Sequence, residues 1–178
     1  MTEWIRFSRD NQFGFGVIED EQVVSYKGDM FHAHEPDGEV ISLYDLTLEC
    51  PVPTSALNSG HLEQFRCRAR KTTFASAAAP LVFRQTAHMF TGARQSDSAP
   101  PILYGPGNLR GGTGIVIGKR ASHVLIEGAA EHIFGYTAIN DVTAVKIIRE
   151  EGGYEQWCRA KGFDTFGPCG PTIKTAFV

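Results

Sequence analysis

The first fifty residues alternate apolar and polar positions over short stretches that are separated by polar turns. A period of two is typical of half-buried β-strands. The turn signals GDMF and PDGE interrupt this pattern, which therefore predicts a small β-rich N-terminal domain over residues 1–54. The predicted strands are WIRF (4–7), FGFGVIE (13–19), QVVSY (22–26, after a turn at 19–21) and the longer half-buried VISLYDLTLECPV (40–52).

The pattern from residue 114 to residue 178 predicts strands mixed with short helices. It indicates a fold of the α+β class in which strands dominate. Four segments carry this prediction: IVIGK (115–119) as a buried strand, IEGAAEHIFGY (126–136) as a short helix leading into YTAINDVTA, VKIIREEGGYEQW (145–157) as an amphipathic stretch, and FGPCGPTI (166–173) as a turn before a final strand.

The composition is that of an ordinary globular protein, with 42% hydrophobic and 21% charged residues and a net charge of −3. We therefore expect no nucleic-acid partner. Because no apolar run is long enough for a membrane span and the start is too polar for a signal peptide, we expect no membrane partner and a cytoplasmic location. The four cysteines are widely spaced, which argues against a zinc site or a disulfide scaffold. His32 and His34 are expected in a solvated loop, with a metal site as the alternative.

The segment between Pro51 and Thr113 has a different composition and no lasting period. It holds seven basic and two acidic residues, a net charge of +5 in a chain whose total is −3. The run RCRARK (66–71) is a candidate phosphate or nucleic-acid patch, and the alternative is a solvated or disordered stretch. The charged residues are Arg66, Arg68, Arg70, Lys71, Arg84, Arg94, Arg110, Glu63 and Asp97.

Three motifs in the C-terminal third, IVIGKR, HIFGYTAINDVTA and RAKGFDTFGPCGP, resemble the fumarylacetoacetate hydrolase family. The resemblance covers residues 115–175 well and residues 1–50 loosely. It implies the family's β-roll core behind a small N-terminal domain, and a homodimer. It also implies a divalent cation, Mg²⁺ or else Mn²⁺ or Ca²⁺, that binds a β-diketo or 2-oxo acid. The implied activity is hydrolysis, isomerisation or decarboxylation in aromatic or amino-acid catabolism.

The same resemblance implies roles for three residues. Asp141 of NDVTA is a metal ligand, Lys161 of RAKGFDT lies beside the metal-bound substrate, and Thr165 helps to hold the same polar cluster. Alternatives without a site remain open for two of them. Asp141 could cap a helix that begins at Val142, and Lys161 could be an exposed turn residue.

The other metal ligands of the family are missing from this sequence. Its Glu-x-Glu pair, counted back from the IGK motif, falls on Arg110 and Gly112. A cation and a bare backbone cannot supply the oxygen ligands that Mg²⁺ requires. The segment expected to bring a catalytic His reads RKTTFASAA (70–78), and Val145 stands where many members have Arg. The sequence therefore predicts an incomplete metal site.

A shifted reading frame accounts for the missing pair. Residues 109–114, LRGGTG, can be encoded CTA CGA GGG GGA ACT GGC, which one base later reads Tyr-Glu-Gly-Glu-Leu. The hypothesis is that residues 55–113 are frameshifted and that the family core, resumed at residue 114, is truncated at Val178. True divergence is the alternative. We expect an impaired family enzyme in the first case, and in the second a non-catalytic relative that serves binding or subunit contacts. The coding DNA discriminates between them.

Overall fold

The computed structural model describes residues 1–52, 90–92, 111–150 and 157–175 of the 178-residue chain. Strands dominate these residues, as the sequence predicted. They form a sheet in which most neighbouring strands are antiparallel. The strands are β1 Thr2–Arg9, β2 Gln12–Glu19, β3 Gln22–Gly28, β4 His34–Ser42, β5 Thr47–Leu48, β6 Phe90–Gly92, β7 Gly111–Ile117, β8 Ile133–Asn140, β9 Gly167–Cys169 and β10 Ile173–Thr175. The helices are α1 Val145–Glu150 and α2 Trp157–Lys161, and 3₁₀ segments cover Leu43–Asp45 and Ile126–His132.

The first four strands form an antiparallel meander, which confirms the three strands predicted at the N-terminus. β1 and β2 are joined at Asp10 and Asn11, whose φ angles of 51° and 62° fit a tight two-residue hairpin turn. The predicted turn around Asp20 separates β2 from β3. The predicted GDMF turn is also present between β3 and β4, where Met30 is buried.

The prediction of a turn at PDGE is wrong, because β4 runs through these residues. Val24 pairs with Val40 and Tyr26 with Pro36, so residues 37–39 stand opposite Ser25 alone and form a bulge. Asp37 closes this bulge by accepting a hydrogen bond from the Ser25 hydroxyl (2.6 Å) and one from the Glu39 amide (2.8 Å). Both hydrogen bonds lower the pKa of Asp37, and the bond from Ser25 has the larger effect. The turn residues therefore bend an edge strand instead of ending it.

The prediction of one continuous strand over residues 40–52 is also wrong. β4 ends at Ser42, whose hydroxyl accepts a hydrogen bond from the Tyr44 amide (3.3 Å), and the 3₁₀ segment Leu43–Asp45 follows. The chain then re-enters the sheet as the short β5. Local capping by a serine competes here with strand formation.

The C-terminal segments differ from the prediction in type more than in position. The predicted helix at 126–136 is a 3₁₀ segment up to His132, followed directly by β8. The predicted Pro/Gly turn at 166–173 contains β9, and its turn is confined to the residues between β9 and β10. β7 confirms the predicted IVIGK strand but begins upstream of it at Gly111, because its backbone pairs with β8 from that residue onwards.

One sheet connects the N-terminal strands with the family-like segment. Its order is β4-β3-β2-β1-β10-β8-β9-β6, while β5 pairs with β1 and β7 with β8. One edge of β1 pairs with β2, and the other is divided between β10 (Thr2–Trp4) and β5 (Phe7–Ser8). The proposed boundary at residues 113 and 114 lies inside β7, and the one at 54 and 55 lies outside the described residues. Both boundaries stay predictions.

Three buried apolar clusters stabilise this arrangement. One joins Trp4 of β1 to Val116 of β7 and Ile173 of β10, so the N-terminal strands and the family-like segment share a core. The second lies among the N-terminal strands around Ile5 and Val23. The third supports the NDVTA and RAKGFDTF segments, and consists of Val142, Ala144, Ile147, Ala160 and Phe166.

Gly135 allows β8 to approach β10 closely. A methyl group at this position would lie 2.5 Å from the Lys174 carbonyl oxygen and 2.7 Å from Ile173 Cγ2. We expect Gly135→Ala to lower the free energy of unfolding by about 1–3 kcal/mol through overpacking. Urea denaturation measures this change. Gly111→Ala is the matched control, since nothing lies within 4 Å of its added methyl group, and equal losses in both variants would contradict the prediction.

Candidate active site

Two backbone hydrogen bonds hold the NDVTA segment against the RAKGFDTF segment. The Val142 amide donates to the Phe166 carbonyl oxygen (3.0 Å), and the Ala144 amide donates to the Ala160 carbonyl oxygen (2.8 Å). The buried side chains of these four residues belong to the same apolar cluster. The polar side chains between them are therefore held in a fixed, largely dehydrated position.

Asp141, Thr143 and Lys161 form a buried polar cluster at this junction. The Lys161 ammonium donates hydrogen bonds to Asp141 Oδ2 and to Thr143 Oγ1, the second at 2.9 Å. The exposed fractions of the three residues are 7% for Asp141, 6% for Thr143 and 2% for Lys161. The structure thus brings together two of the three residues implied by the family resemblance.

The alternatives without a site for these two residues are wrong. Lys161 is buried at the end of α2 and is not an exposed turn residue. Asp141 does not cap a helix at Val142, because α1 begins only at Val145. A buried ion pair does not by itself stabilise a fold, because desolvation offsets the attraction between the charges. Buried, paired ionisable groups are common at functional sites. The Asp141 and Lys161 pair is therefore a candidate for a role in binding or chemistry.

Thr165 is half-buried in the loop between α2 and β9, four residues after Lys161. Its φ angle is 67°, in the left-handed region that a β-branched residue rarely adopts. A conformation of this kind costs about 1–3 kcal/mol and is found most often at functional sites. The role of Thr165 in the cluster stays a prediction.

The described residues do not fit a divalent cation. Within residues 1–52, 90–92, 111–150 and 157–175, no three His, Cys, Asp or Glu side chains gather to hold a metal. The carboxylate of Asp141 is engaged by an ammonium group, and Gly112 has no side chain. His32 lies in an exposed turn before β4, as predicted, whereas the prediction of a loop is wrong for His34, which begins that strand. The His34 ring packs edge-to-face against Trp4, with ring centroids 4.8 Å apart.

The register of β7 and β8 shows where the missing family ligands would stand. Gly112 lies opposite Ile139, and a Cβ atom at Gly112 would be 3.9 Å from Ile139 Cγ2. Ile139 and Asp141 are both buried and two positions apart, so residue 112 shares their face of the sheet. A side chain at 112 would be a diagonal neighbour of Asp141, a separation of about 7–8 Å between Cα atoms. Residue 110 lies outside the described residues.

Sequence reasoning missed two features of this region. Thr143 contacts Lys161 directly, and the only signal for it was its position within the NDVTA motif. Cys50 and Cys169 lie in contact although 119 residues separate them, a proximity that the spacing of cysteines in a sequence cannot show. The proposed basic patch at 66–71 and most of the proposed frameshifted segment lie outside the described residues.

A concave surface lies on the N-terminal strands. This groove has a volume of about 360 Å³ and is lined by residues of β1 to β4 and the turn between β1 and β2, among them Phe7, Phe13 and Ser25. None of the motif residues of the C-terminal third lines it. The groove is therefore separate from the Asp141 cluster.

Comparison with known families gives a direct assignment. Residues 54–177 match the family described as fumarylacetoacetate (FAA) hydrolase C-terminal. The chain belongs to the fumarylacetoacetate hydrolase family. Residues 3–51 match a second family, described as Rv2993c-like, N-terminal. The family match includes the segment proposed to be frameshifted, and both the frameshift and the truncation stay predictions.

Individual relatives share the sequence over shorter stretches. An uncharacterized protein of Methanocaldococcus jannaschii, MJ1656, is 49% identical over 59 residues, which are 33% of this chain and 24% of that protein. The aligned stretch thus spans about a quarter of the relative's length. Activities of the whole protein are therefore proposals for this chain.

Solved structures of the family share the fold over almost the whole chain. The 5-carboxymethyl-2-hydroxymuconate delta-isomerase of Mycobacterium smegmatis superimposes with a TM-score of 0.74 at 26% identity, covering 99% of this chain and 68% of the other. Maleylpyruvate hydrolase of Sphingobium sp. SYK-6, in complex with manganese(II) and pyruvate, has a TM-score of 0.63 at 17% identity, covering 98% and 67%. The second likeness concerns the fold alone. These neighbours confirm the strand-dominated fold expected for the family.

In the part of the chain that the structure describes, no helix has the length and apolar character needed to cross a membrane.

Proposed function

We propose that this chain is an impaired member of a group of hydrolases, isomerases and decarboxylases that act on β-diketo or 2-oxo acids. The proposal is supported by family membership and by neighbours of both the hydrolase and the isomerase type. The observation that carries it is the buried cluster of Asp141, Thr143 and Lys161, which lies on the motifs that resemble the family's site.

Lys161 is the residue best suited to meet an acidic substrate. Lys161 lies where the end of α2 meets the NDVTA segment and is 2% exposed, and charge interactions in such a buried position are stronger than in water. An ammonium group in this position can neutralise a substrate carboxylate or the oxygen of an enolate as negative charge develops there. Asp141 and Thr143 hold the Nζ atom in place through hydrogen bonds.

A divalent cation belongs to the proposed chemistry of the group, and one structural neighbour is in complex with manganese(II). The described residues of this chain do not fit such an ion, so the chain itself is proposed to carry only part of a site. Mg²⁺, with Mn²⁺ or Ca²⁺ as substitutes, remains the predicted cofactor of the complete enzyme. The homodimer, the cytoplasmic location and the absence of nucleic-acid and membrane partners also remain predictions.

The second candidate function is a non-catalytic relative that binds a ligand or another subunit. It is favoured by one observation, the direct ion pair between Lys161 and Asp141. In this arrangement the carboxylate that the family resemblance assigns to a metal is already balanced by an internal cation. The two candidates differ in whether added carboxylates restore a metal site.

We expect the purified chain to bind Mg²⁺ and Mn²⁺ weakly. One carboxylate with water molecules supplies too few fixed oxygen ligands for a near-octahedral cation. Isothermal titration calorimetry with each metal, alongside an assay of acylpyruvate cleavage, measures both parts of the proposal. Tight binding of one ion per chain would contradict the incomplete site. Turnover of acylpyruvates without a bound metal would contradict the impairment.

A further inference from the structure

Cys50 and Cys169 form a buried pair of thiols that the candidate active site does not use. Their Sγ atoms are 3.0 Å apart, and the exposed fractions of the two residues are 7% and 2%. Both belong to the apolar cluster that joins the N-terminal strands to the family-like segment. Both are free thiols in this structure.

The backbones that carry these thiols also lie side by side. A Cβ atom at Gly170, the residue after Cys169, would be 3.0 Å from Pro51 Cδ. The Gly170 amide donates to the Ala138 carbonyl oxygen (3.0 Å), which fixes the end of β9 against β8. Closing the sulfurs from 3.0 Å to the length of a disulfide, about 2.05 Å, requires a movement of roughly 1 Å.

The two thiols differ in their surroundings. The two sulfurs share a hydrogen bond in which either thiol can donate, and this contact lowers the pKa of Cys50 and raises that of Cys169. The positive charge of Arg6 also lowers the pKa of Cys50, and the Arg6 side chain donates to the Cys50 carbonyl oxygen (2.9 Å). Burial further raises the pKa of Cys169. Cys50, beside Arg6, is therefore the better nucleophile, and it is also the slightly more exposed residue of the two.

We propose that Cys50 and Cys169 are an oxidisable pair whose disulfide joins the N-terminal strands to β9 beside the Asp141 cluster. The oxidant is a hydroperoxide. The Cys50 thiolate attacks one peroxide oxygen of hydrogen peroxide, which forms a sulfenic acid and releases hydroxide. The sulfur of Cys169 then attacks the Cys50 sulfur, and the sulfenic oxygen leaves as water. In total, two thiols and one hydrogen peroxide molecule give one disulfide and two water molecules.

The position of the pair gives the disulfide a consequence for the site. Cys169 lies opposite Ile139 on β8, two residues before Asp141. The Phe166 carbonyl, just before β9, accepts a hydrogen bond from the Val142 amide. Oxidation therefore anchors the strand that follows the Lys161 and Thr165 loop. In a reducing compartment such a bond is transient and regulatory rather than structural.

The experiment uses the full chain with Cys67→Ser and Cys158→Ser, so that Cys50 and Cys169 are the remaining thiols. After treatment with hydrogen peroxide, we expect an intramolecular disulfide, seen as a mass loss of two hydrogens and as a linked peptide after digestion. The disulfide closes a long loop of the chain. The thermal unfolding midpoint of the oxidised protein should therefore rise by at least about 5 °C, and dithiothreitol should reverse the rise.

Two single variants in this background test the order of the steps. Cys169→Ser should accumulate a sulfenic acid at Cys50 that dimedone traps, while Cys50→Ser should leave Cys169 unoxidised under the same conditions. Dimers linked between chains, overoxidation without a disulfide, or thiols that react only after urea is added would each overturn the proposal. So would faster oxidation of Cys169 in Cys50→Ser than of Cys50 in Cys169→Ser.

Discussion

Replacing Arg110 and Gly112 together by glutamate is expected to give this chain a divalent-metal site, with Mn²⁺ binding at least about tenfold tighter than in the parent chain, since losing even an outer-shell partner costs a metal site about 10–100-fold in affinity. Position 112 shares a sheet face with Ile139 and Asp141, and a side chain there has room, since the nearest atom is 3.9 Å from its Cβ position. Position 110 is chosen because the family's Glu-x-Glu pair falls on residues 110 and 112, and it lies outside the described residues. Three carboxylates then offset the charge of the cation, and Asp141 exchanges its ammonium partner for the metal.

Calorimetric titration of Mn²⁺ measures this gain, and the matched control is Arg110→Glu with Gly111→Glu. The control adds the same charge, but residue 111 lies opposite Asn140 and has open space around its Cβ position on the other face of the strand. It should bind metal no better than the parent chain. Asp141→Asn in the repaired chain should abolish the gain. Equal binding by the repaired and control variants would show that charge alone, without the site, attracts the metal.

Replacing Lys161 by methionine is expected to lower the free energy of unfolding by about 3–5 kcal/mol, because it removes the cation from a buried carboxylate. Methionine keeps most of the side-chain volume, so little of the loss comes from a cavity. Urea denaturation of the variant and the parent chain measures this loss.

Lys174→Met is the control for Lys161→Met. Lys174 pairs with Glu3 at 2.5 Å, but its side chain is 48% exposed, so its loss should change stability by less than about 1 kcal/mol. Adding Asp141→Leu to Lys161→Met should recover part of the lost stability, because it removes the remaining charge. If the two lysine variants lose equal stability, or if the double variant is less stable than Lys161→Met, the cluster is not the buried charge pair described.

Short periodic patterns predicted the strands of this chain well where the contacts are local. β1, β2 and β3 follow the alternation of apolar residues, and hairpin neighbours pair with one another. The pattern failed at PDGE and at Ser42. Turn residues can form a bulge in an edge strand as well as a turn. The local sequence pattern does not distinguish the two outcomes, because the bulge depends on Ser25 of the neighbouring strand, which lies opposite these residues.

The candidate site was predictable only as far as the family motifs extend. The motifs indicated Asp141 and Lys161, and the structure places these side chains in contact. Neither periodicity nor composition could show that Thr143 turns towards Lys161, because that depends on how the 141–144 segment packs against α2. The Cys50 and Cys169 contact depends in the same way on long-range pairing. Its partners meet because β5, which ends two residues before Cys50, and β9, which contains Cys169, belong to one sheet.

One edge of β1 pairs with both β5 and β10, and this limits how early the sheet can form during synthesis. The end of β1 that contains Thr2 and Trp4 pairs with β10, whose residues leave the ribosome roughly 10–30 s after those of β1 at ordinary elongation rates. Until then this end of the strand presents unpaired backbone groups and the apolar ring of Trp4. Until β10 has emerged, we expect a ribosome-associated chaperone that binds apolar segments to contact the nascent chain at this end of β1.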